Sequence, residues 1–256
     1  MNEKTEQKIV VVTGGAVGIG EVICERLARE RIRVIVADID DVRAEQTAAR
    51  LREAGGTAAA QHLDVGSPDS IQAAFARLER DYGRCDILVN NAGIAKTFPF
   101  LDYPLEHWNA TMNINVTGTL LCSQAAVRLM QRRGWGRIIT IASVAGLRAV
   151  GTGRTAYGTS KAAVIGLTRH MAAELAEMGI TANAVAPGPV DTPMTRELHA
   201  PAFRAQYTAA IPAGRYGRAI EIADAVAYLA SDAAAYVNGA TLPVDGGFMA
   251  SGARPG

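Results

Sequence analysis

Cysteine is scarce in this chain. Cys24, Cys85 and Cys122 are odd in number and far apart, with no Cys-x-x-Cys pair. That argues against a disulfide framework or a zinc knuckle and points to a reducing, cytoplasmic setting. Histidine is almost as sparse: His62, His107, His170 and His199 stand apart without the spacing of helical metal ligands, so no catalytic metal is expected. No apolar run approaches the length that spans a bilayer, and the first eight residues are polar and mixed in charge, unlike an export signal. An excess of charge is lacking too. Lys and Arg number 26 against 25 Asp and Glu, a formal net charge of +1, which gives no global field suited to nucleic acid, a membrane or a strongly acidic partner. Nothing reads as a linker, so the 256 residues are expected to form one domain, 1–256.

What the chain does contain is a repeated alternation of short apolar strands and helical patterns. Ile9-Val10-Val11-Val12 is a β-branched run that feeds into Thr13-Gly14-Gly15-Ala16-Val17-Gly18-Ile19-Gly20, after which Val22, Ile23, Leu27 and Ile32 recur at near-helical spacing. Glycines where a strand hands over to a helix suit a pyrophosphate. Gly14 permits the tight turn, Gly18 lets the backbone approach the anion, and Gly20 allows close packing. The spacing is Gly-x-x-x-Gly-x-Gly, and a merely structural turn is the alternative. The second strand, residues 33–37, ends at Asp38. A carboxylate there can accept hydrogen bonds from the adenosine ribose and repel a 2′-phosphate, which predicts NAD with NADP disfavoured. Asp40 and Asp41 add to that charge and only Arg43 opposes it nearby.

A helix over residues 42–54, a third strand at 57–63 ending in Asp64-Val65, and a helix capped by Ser67 with Pro68 in its first turn continue the alternation. The fourth strand, 87–89, exits into Asn90-Asn91-Ala92-Gly93, a tetrapeptide that either borders a ligand crevice or is a plain turn. A long helical region is expected over about 105–133 with Asn115 in its middle, where asparagine suggests a side chain or a locally opened backbone with work other than packing. Arg128, Arg132, Arg133 and Arg137 around Trp135 read as solvated cations at a helix end in preference to a nucleic-acid patch. The fifth strand, 138–141, delivers Ser143, and the sixth, 181–186, stops at Pro187-Gly188-Pro189. From about 190 to 217 the pattern becomes irregular, and a structureless insert of that length is expected to be a substrate lid. A further helix at 220–229 and a last strand from Thr241 close the chain.

Thr155-Ala156-Tyr157-Gly158-Thr159-Ser160-Lys161 opens the helix after the fifth strand, so Tyr157 and Lys161 lie four residues apart on one face. An ammonium beside a phenol favours the phenolate and is expected to lower the tyrosine pKa towards the working pH. Ser143 lies fourteen residues earlier, and a loop can fold its hydroxyl back to donate to a substrate oxygen.

Taken together, Thr13 with Gly14, Gly18 and Gly20, then Asp38, Asp64-Val65, Asn90-Asn91-Ala92-Gly93, Asn115, Ser143, Tyr157 with Lys161, Pro187-Gly188, Thr192 and Asp245-Gly246-Gly247 resemble the short-chain dehydrogenase/reductase family from Ile9 to about Phe248. The resemblance implies a Rossmann-type α/β fold: a doubly wound, seven-stranded parallel sheet between two helical layers. It implies Tyr157 as general acid/base, Ser143 positioning the substrate oxygen, Lys161 lowering the tyrosine pKa and binding the nicotinamide ribose, and Asn115 holding a water of a proton relay. It implies a dinucleotide contacted by Gly14, Val17, Gly18, Ile19, Gly20, Asp38, Ile39, Asp64, Val65, Asn91, Ala92, Gly93, Tyr157, Lys161, Pro187, Gly188, Val190 and Thr192.

Ser143, Ala145, Arg154, Tyr157 and Gly188 are expected to meet the substrate. The surrounding walls mix Met194, Leu198 and Phe203 with Arg148, Arg196, His199 and Tyr207, which suits a sugar, a polyol or another small hydroxy compound, while arginines equally suit a carboxylate. Members of the family are often tetramers, so a homotetramer is expected. The rival within the family is a 3-oxoacyl carrier-protein reductase, usually NADPH-dependent and in need of a basic docking face, whereas Glu174 and Glu177 make one helix end acidic. A non-catalytic dinucleotide-binding or scaffold protein is the alternative of another class, and it has no need of Asn115, Ser143, Tyr157 and Lys161 together.

Overall fold

A strand made wholly of apolar residues can bury both faces, and the run at residues 9–12 does so. In the computed structural model of the protein, which describes residues 7–198 and 200–251, β1 (Ile9–Thr13) lies inside a seven-stranded sheet. The others are β2 (Arg33–Asp38), β3 (Thr57–His62), β4 (Ile87–Asn90), β5 (Gly136–Ile141), β6 (Ile180–Pro187) and β7 (Thr241–Val244). All pairings are parallel and the order is β3-β2-β1-β4-β5-β6-β7. The order reverses between β1 and β4, so the loops leaving these strands part and open a crevice at their carboxyl ends.

Helices α1 (Gly18–Ala28), α2 (Asp41–Glu53), α3 (Pro68–Tyr82), α4 (Leu105–Met112), α5 (Gly118–Met130), α6 (Thr155–Leu175), α7 (Pro193–Leu198), α8 (Pro201–Ala210) and α9 (Ala219–Ala230) alternate with the strands. Side-chain alternation along the strands sorts the core into two layers. Val10, Val12, Val34 and Val36 pack with Ile23 and Leu27 of α1 and Ile222 of α9. Ile9, Val11 and Ile35 pack on the opposite face with Phe75 and Leu78 of α3 and Met130 of α5. The three thiols belong to these layers. Burial pushes those of Cys24 and Cys85 far above the usual range and that of Cys122 to about 12, so they act as small apolar side chains. No helix among the described residues is long and apolar enough to cross a membrane.

The helical region at 105–133 is present and divided: Asn113–Thr117 forms a π turn between α4 and α5, with a 3₁₀ turn at Gln131–Arg133. The π turn contains Asn115, whose side chain bonds outside its own helix, and a widened turn of this kind re-aims side chains at functional sites. The insert from about 190 to 217 is not structureless, because it holds α7 and α8. Tyr207 of α8 and Ile211 just beyond it join Val144, Val150, Tyr216 and Phe248 in a small core of their own. His199, and the side chains of Met194 and Leu198, lie outside the described residues.

Candidate functional site

The glycine turn after β1 is fixed by close approach. Gly14 has φ +62°, and a Cβ there would come within 2.9 Å of the Ala92 Cα. Gly18, at φ +63°, begins α1 and faces open space, so its backbone is bare where the helix amides begin. Gly20 does not line the cleft. It packs against the turn itself, where a Cβ would overlap the Gly14 carbonyl oxygen and crowd Asn91 Nδ2. We expect Gly20→Ala to destabilise the protein by about 3 kcal/mol, because backbone is the obstacle and cannot rotate away. A thermal melt should show Tm lower by roughly 6–12 °C.

The loops leaving β1 and β4 are stitched together at the switch point. Thr13 Oγ1 accepts from the Asn91 and Ala92 amides at 3.0 and 3.1 Å, and Asn91 Nδ2 donates to the Thr13 and Gly14 carbonyls at 3.0 and 2.9 Å. At the tip of β2, Asp38 holds its carboxylate over the same turn, accepting from Ala16 N at 3.0 Å and Asp40 N at 3.1 Å. Asp64, beyond β3, accepts from Gly66 N at 2.8 Å.

On the other side of the crevice, β5 delivers Ser143 and α6 presents Tyr157 and Lys161. Ser143 Oγ accepts from Ala145 N at 3.1 Å and hydrogen-bonds the Tyr157 hydroxyl. Lys161 is buried, donates from Nζ to the Ile141 carbonyl at 2.7 Å, and lies 5.7 Å from the Tyr157 ring centre. Burial lowers its pKa to about 8. The expectation that Lys161 brings the tyrosine pKa down is corrected for the chain by itself: burial raises Tyr157 above its ordinary value, and what opposes this is the Ser143 hydrogen bond and the charge of Arg154. Removing a phenolate from water outweighs the neighbouring charges.

Asn115 also stands elsewhere than in the cleft. It is buried behind the wall, its Oδ1 accepting from Ile94 N at 2.9 Å and its Nδ2 donating to Ile94 O at 3.0 Å and Ser160 Oγ at 2.9 Å. Ser160 Oγ in turn donates to the Tyr157 carbonyl at 2.7 Å. The side chain is thus fully engaged in clamping the β4 loop to α6, and Thr119 Oγ1 donates to its carbonyl at 2.8 Å.

These elements enclose one cleft of about 550 Å³. Gly14, Val17, Gly18, Ile19, Asp38, Ile39, Asp64, Val65, Asn91, Ala92 and Gly93 line its first half, and Ser143, Ala145, Arg154, Tyr157, Lys161, Pro187, Gly188, Val190 and Thr192 the second. Sequence reasoning missed Leu63, Ile94 and Ile114 in these walls. Apolar residues in loops give no periodic signal. Thr195, also in the wall, donates to Val190 O at 2.6 Å and caps the start of the segment at 190–217.

The comparisons agree with this geometry. The sequence model of a family described as enoyl-(acyl carrier protein) reductase matches residues 14–249. The chain belongs to the short-chain dehydrogenase/reductase family. It is 42% identical over 242 residues to the 3-oxoacyl-[acyl-carrier-protein] reductase FabG of Escherichia coli, covering 94% of this chain and 97% of that protein. It is 40% identical to the cis-4-hydroxycyclohexanecarboxylate dehydrogenase of Sinomonas cyclohexanicum, covering 98% and 100%. A gluconate 5-dehydrogenase from Burkholderia cenocepacia, solved in complex with NADP and tartrate, superimposes with a TM-score of 0.92 at 35% identity over 96% of each chain.

The protein is therefore an oxidoreductase of a family that binds a nicotinamide dinucleotide, and the residues present fit that group. Gly14 and Gly18 leave bare backbone at a helix start, the carboxylates of Asp38 and Asp64 suit hydroxyl and amine donors, and one cleft runs from these residues to Tyr157 and Lys161.

Proposed function

We propose that the protein is an NAD-dependent dehydrogenase that interconverts a secondary alcohol and a ketone, or a sugar hemiacetal and its lactone, on a sugar, polyol or other small polar hydroxy compound. The observation that carries this reading is the convergence of Ser143, Tyr157 and Lys161 on one side of a cleft whose other side is the glycine turn under Asp38. When bound, the nicotinamide supplies the acceptor or donor of hydride. In the oxidative direction Tyr157 takes the alcohol proton and Ser143 donates to the same oxygen, while the charges of Lys161 and of a bound oxidised nicotinamide would together favour the phenolate that burial in the chain alone disfavours; reduction reverses the proton's path. Asn115 acts through others, holding Ser160 and the backbone of Tyr157 in register.

Asp38 supports NAD over NADP. Its two oxygens already accept backbone amides, so the carboxylate is fixed and negative where a 2′-phosphate would sit, and no basic side chain lies in the glycine turn. A homotetramer and a cytoplasmic location complete the reading by analogy with the family. A carrier-protein reductase is the second reading, favoured by the FabG identity. Opposing it are Asp38 and the acidic end of the Tyr157 helix, with Glu174 in its last turn and Glu177 just past it.

Initial rates across aldoses, polyols, hydroxy acids, simple secondary alcohols and 3-hydroxyacyl thioesters, each with NAD and with NADP, test it. The expected result is turnover of a small hydroxy compound with NAD favoured by about 100-fold or more in kcat/KM. Asp38→Ser should narrow that preference by at least roughly tenfold, because the repelled phosphate then meets a neutral hydroxyl. Turnover of thioesters alone would transfer the assignment to the carrier-protein reductase, and turnover with NADP alone would refute the role given to Asp38.

A further inference from the structure

Few side chains at the substrate end of the cleft have hydrogen-bonding groups to offer a ligand. Arg148 and Arg196, expected in these walls from the sequence, do not line them: Arg148 lies 4.1 Å over the Phe248 ring, and Arg196 pairs with Asp191 at 2.9 Å. Among the described residues no carboxylate or carboxamide side chain lines this end, since Asp38, Asp64 and Asn91 all belong to the other half. The hydroxyls of Thr192 and Thr195 are engaged with each other at 3.2 Å, and that of Thr195 with the Val190 carbonyl at 2.6 Å. Arg154 has interactions within the chain, and Lys96 and Thr97 are exposed at the mouth.

What stands beside the reacting groups is apolar. Ser143, which hydrogen-bonds the Tyr157 hydroxyl, is followed directly by Val144 and Ala145; these pack with Val150 and Tyr207, and all four line the cleft. Ile211, Tyr216 and Phe248 complete the cluster from behind without reaching the cleft, so the wall is closed. Tyr207 is held by its neighbours, its ring 5.7 Å from that of Phe248 at 19° and 4.8 Å from that of Phe203 at 40°. The charge of Arg154 acts on Tyr157 and on Tyr207 alike, which puts this wall beside the tyrosine as well as the serine. A hydroxyl carried into such a place loses its water and gains no partner, whereas a methyl or methylene group gains by leaving water.

Resting on the reading above that the protein oxidises a secondary alcohol with NAD, we infer that one of the two groups flanking the carbinol carbon of its substrate is a compact hydrocarbon group, seated against Val144, Ala145, Val150 and Tyr207. Any further polar group lies on the other side of the carbinol and points to the mouth, near Lys96 and Thr97. Among the compounds that reading admits, this selects those with hydroxyl-free carbon on one side of the carbinol and sets aside fully hydroxylated sugars and polyols. The hydrocarbon group is unchanged by the reaction: the hydride leaves the carbinol carbon for the nicotinamide, and the proton leaves its oxygen for Tyr157.

The test uses alcohols alike in size: pentan-3-ol, butane-1,2-diol and glycerol, in which none, one and both of the groups flanking the secondary carbinol end in a hydroxyl, with cyclohexanol and myo-inositol as a ring pair, all with NAD. We expect kcat/KM for butane-1,2-diol to lie within about threefold of that for pentan-3-ol, because the ethyl group of either enters the apolar wall, and to fall by about tenfold or more for glycerol. Val150→Thr and Val150→Asn should narrow the ratio of pentan-3-ol to glycerol by at least roughly threefold, since each offers a buried hydroxyl a partner. A ratio within one enzyme cancels general damage, and its change between enzymes cancels the differing reactivity of the alcohols. Glycerol or myo-inositol turned over as well as its hydrocarbon counterpart, turnover confined to aldoses or hydroxy acids, or a ratio unchanged in both variants would overturn this inference while leaving the dehydrogenase reading in place. No NAD-linked turnover of any of these compounds would overturn both.

Discussion

Replacing Tyr157 with phenylalanine is expected to lower kcat by about 10³-fold while leaving dinucleotide binding and the melting temperature nearly unchanged. The ring remains, so α6 keeps its packing, and what disappears is the hydroxyl to which the proton exchange is assigned in the proposed mechanism. The Ser143 hydroxyl remains beside the reacting oxygen but is far too weak an acid to replace the phenol at neutral pH. Titration of cofactor fluorescence separates binding from turnover in the same preparation. The pH profile is a second check. Burial holds the Tyr157 pKa above its ordinary value, so oxidation by the wild type should rise with pH through the alkaline range as phenolate forms, and reduction, which needs the phenol, should fall. Both slopes should be absent from Tyr157→Phe, and a variant with full turnover would sink the proton-transfer role.

Lys161→Met should lose at least 100-fold in kcat and yet melt at a higher temperature. The buried ammonium is the reason for both effects. Its pKa falls from 10.5 to about 8 on folding, so the unfolded chain binds this proton more tightly than the native one. At neutral pH the resulting penalty is on the order of 3 kcal/mol. Methionine fills similar space without the charge and forfeits the bond from Nζ to the Ile141 carbonyl, worth about 1 kcal/mol. A net gain of about 2 kcal/mol corresponds to a Tm higher by roughly 4–8 °C. The sign of the pH dependence is fixed by linkage. Below pH 8 the wild type bears the whole penalty, between pH 8 and 10.5 its stability climbs relative to the variant, and above 10.5 the two differ only by the lost hydrogen bond. A variant less stable than the wild type at pH 7 would show that the ammonium is better solvated than its burial implies.

Much of this was legible in the residues themselves. The apolar, β-branched runs at 9–12 and 34–37 pointed to interior parallel strands, and the glycines between strand and helix marked the turn. Ser67 with Pro68 placed the start of α3 correctly. The segment at 190–217 was misread because its apolar pattern is irregular, yet Pro193 and Pro201 each occupy the first turn of a helix, where a missing amide costs nothing. The π turn at Asn113–Thr117 was hinted at only by Asn115, since one extra residue in a turn leaves helical periodicity almost intact. The direction of the Tyr157 shift was beyond the sequence. It depends on how much water the lid and the loop after β5 exclude, which is set by contacts among distant segments such as Val144, Tyr207 and Phe248.

The clamp made by Asn115 bears on how such a protein can change over time. Through Ile94, Ser160 and the Tyr157 carbonyl, one amide ties the loop after β4 to the helix that carries Tyr157 and Lys161, so neither can drift without the other. The lid has no part in that tie, and it is anchored instead through Asp191 and an aromatic cluster of its own. On the proposed function, substitutions in this segment of fewer than about thirty residues are expected to change the substrate while Ser143, Tyr157 and Lys161 hold their alignment.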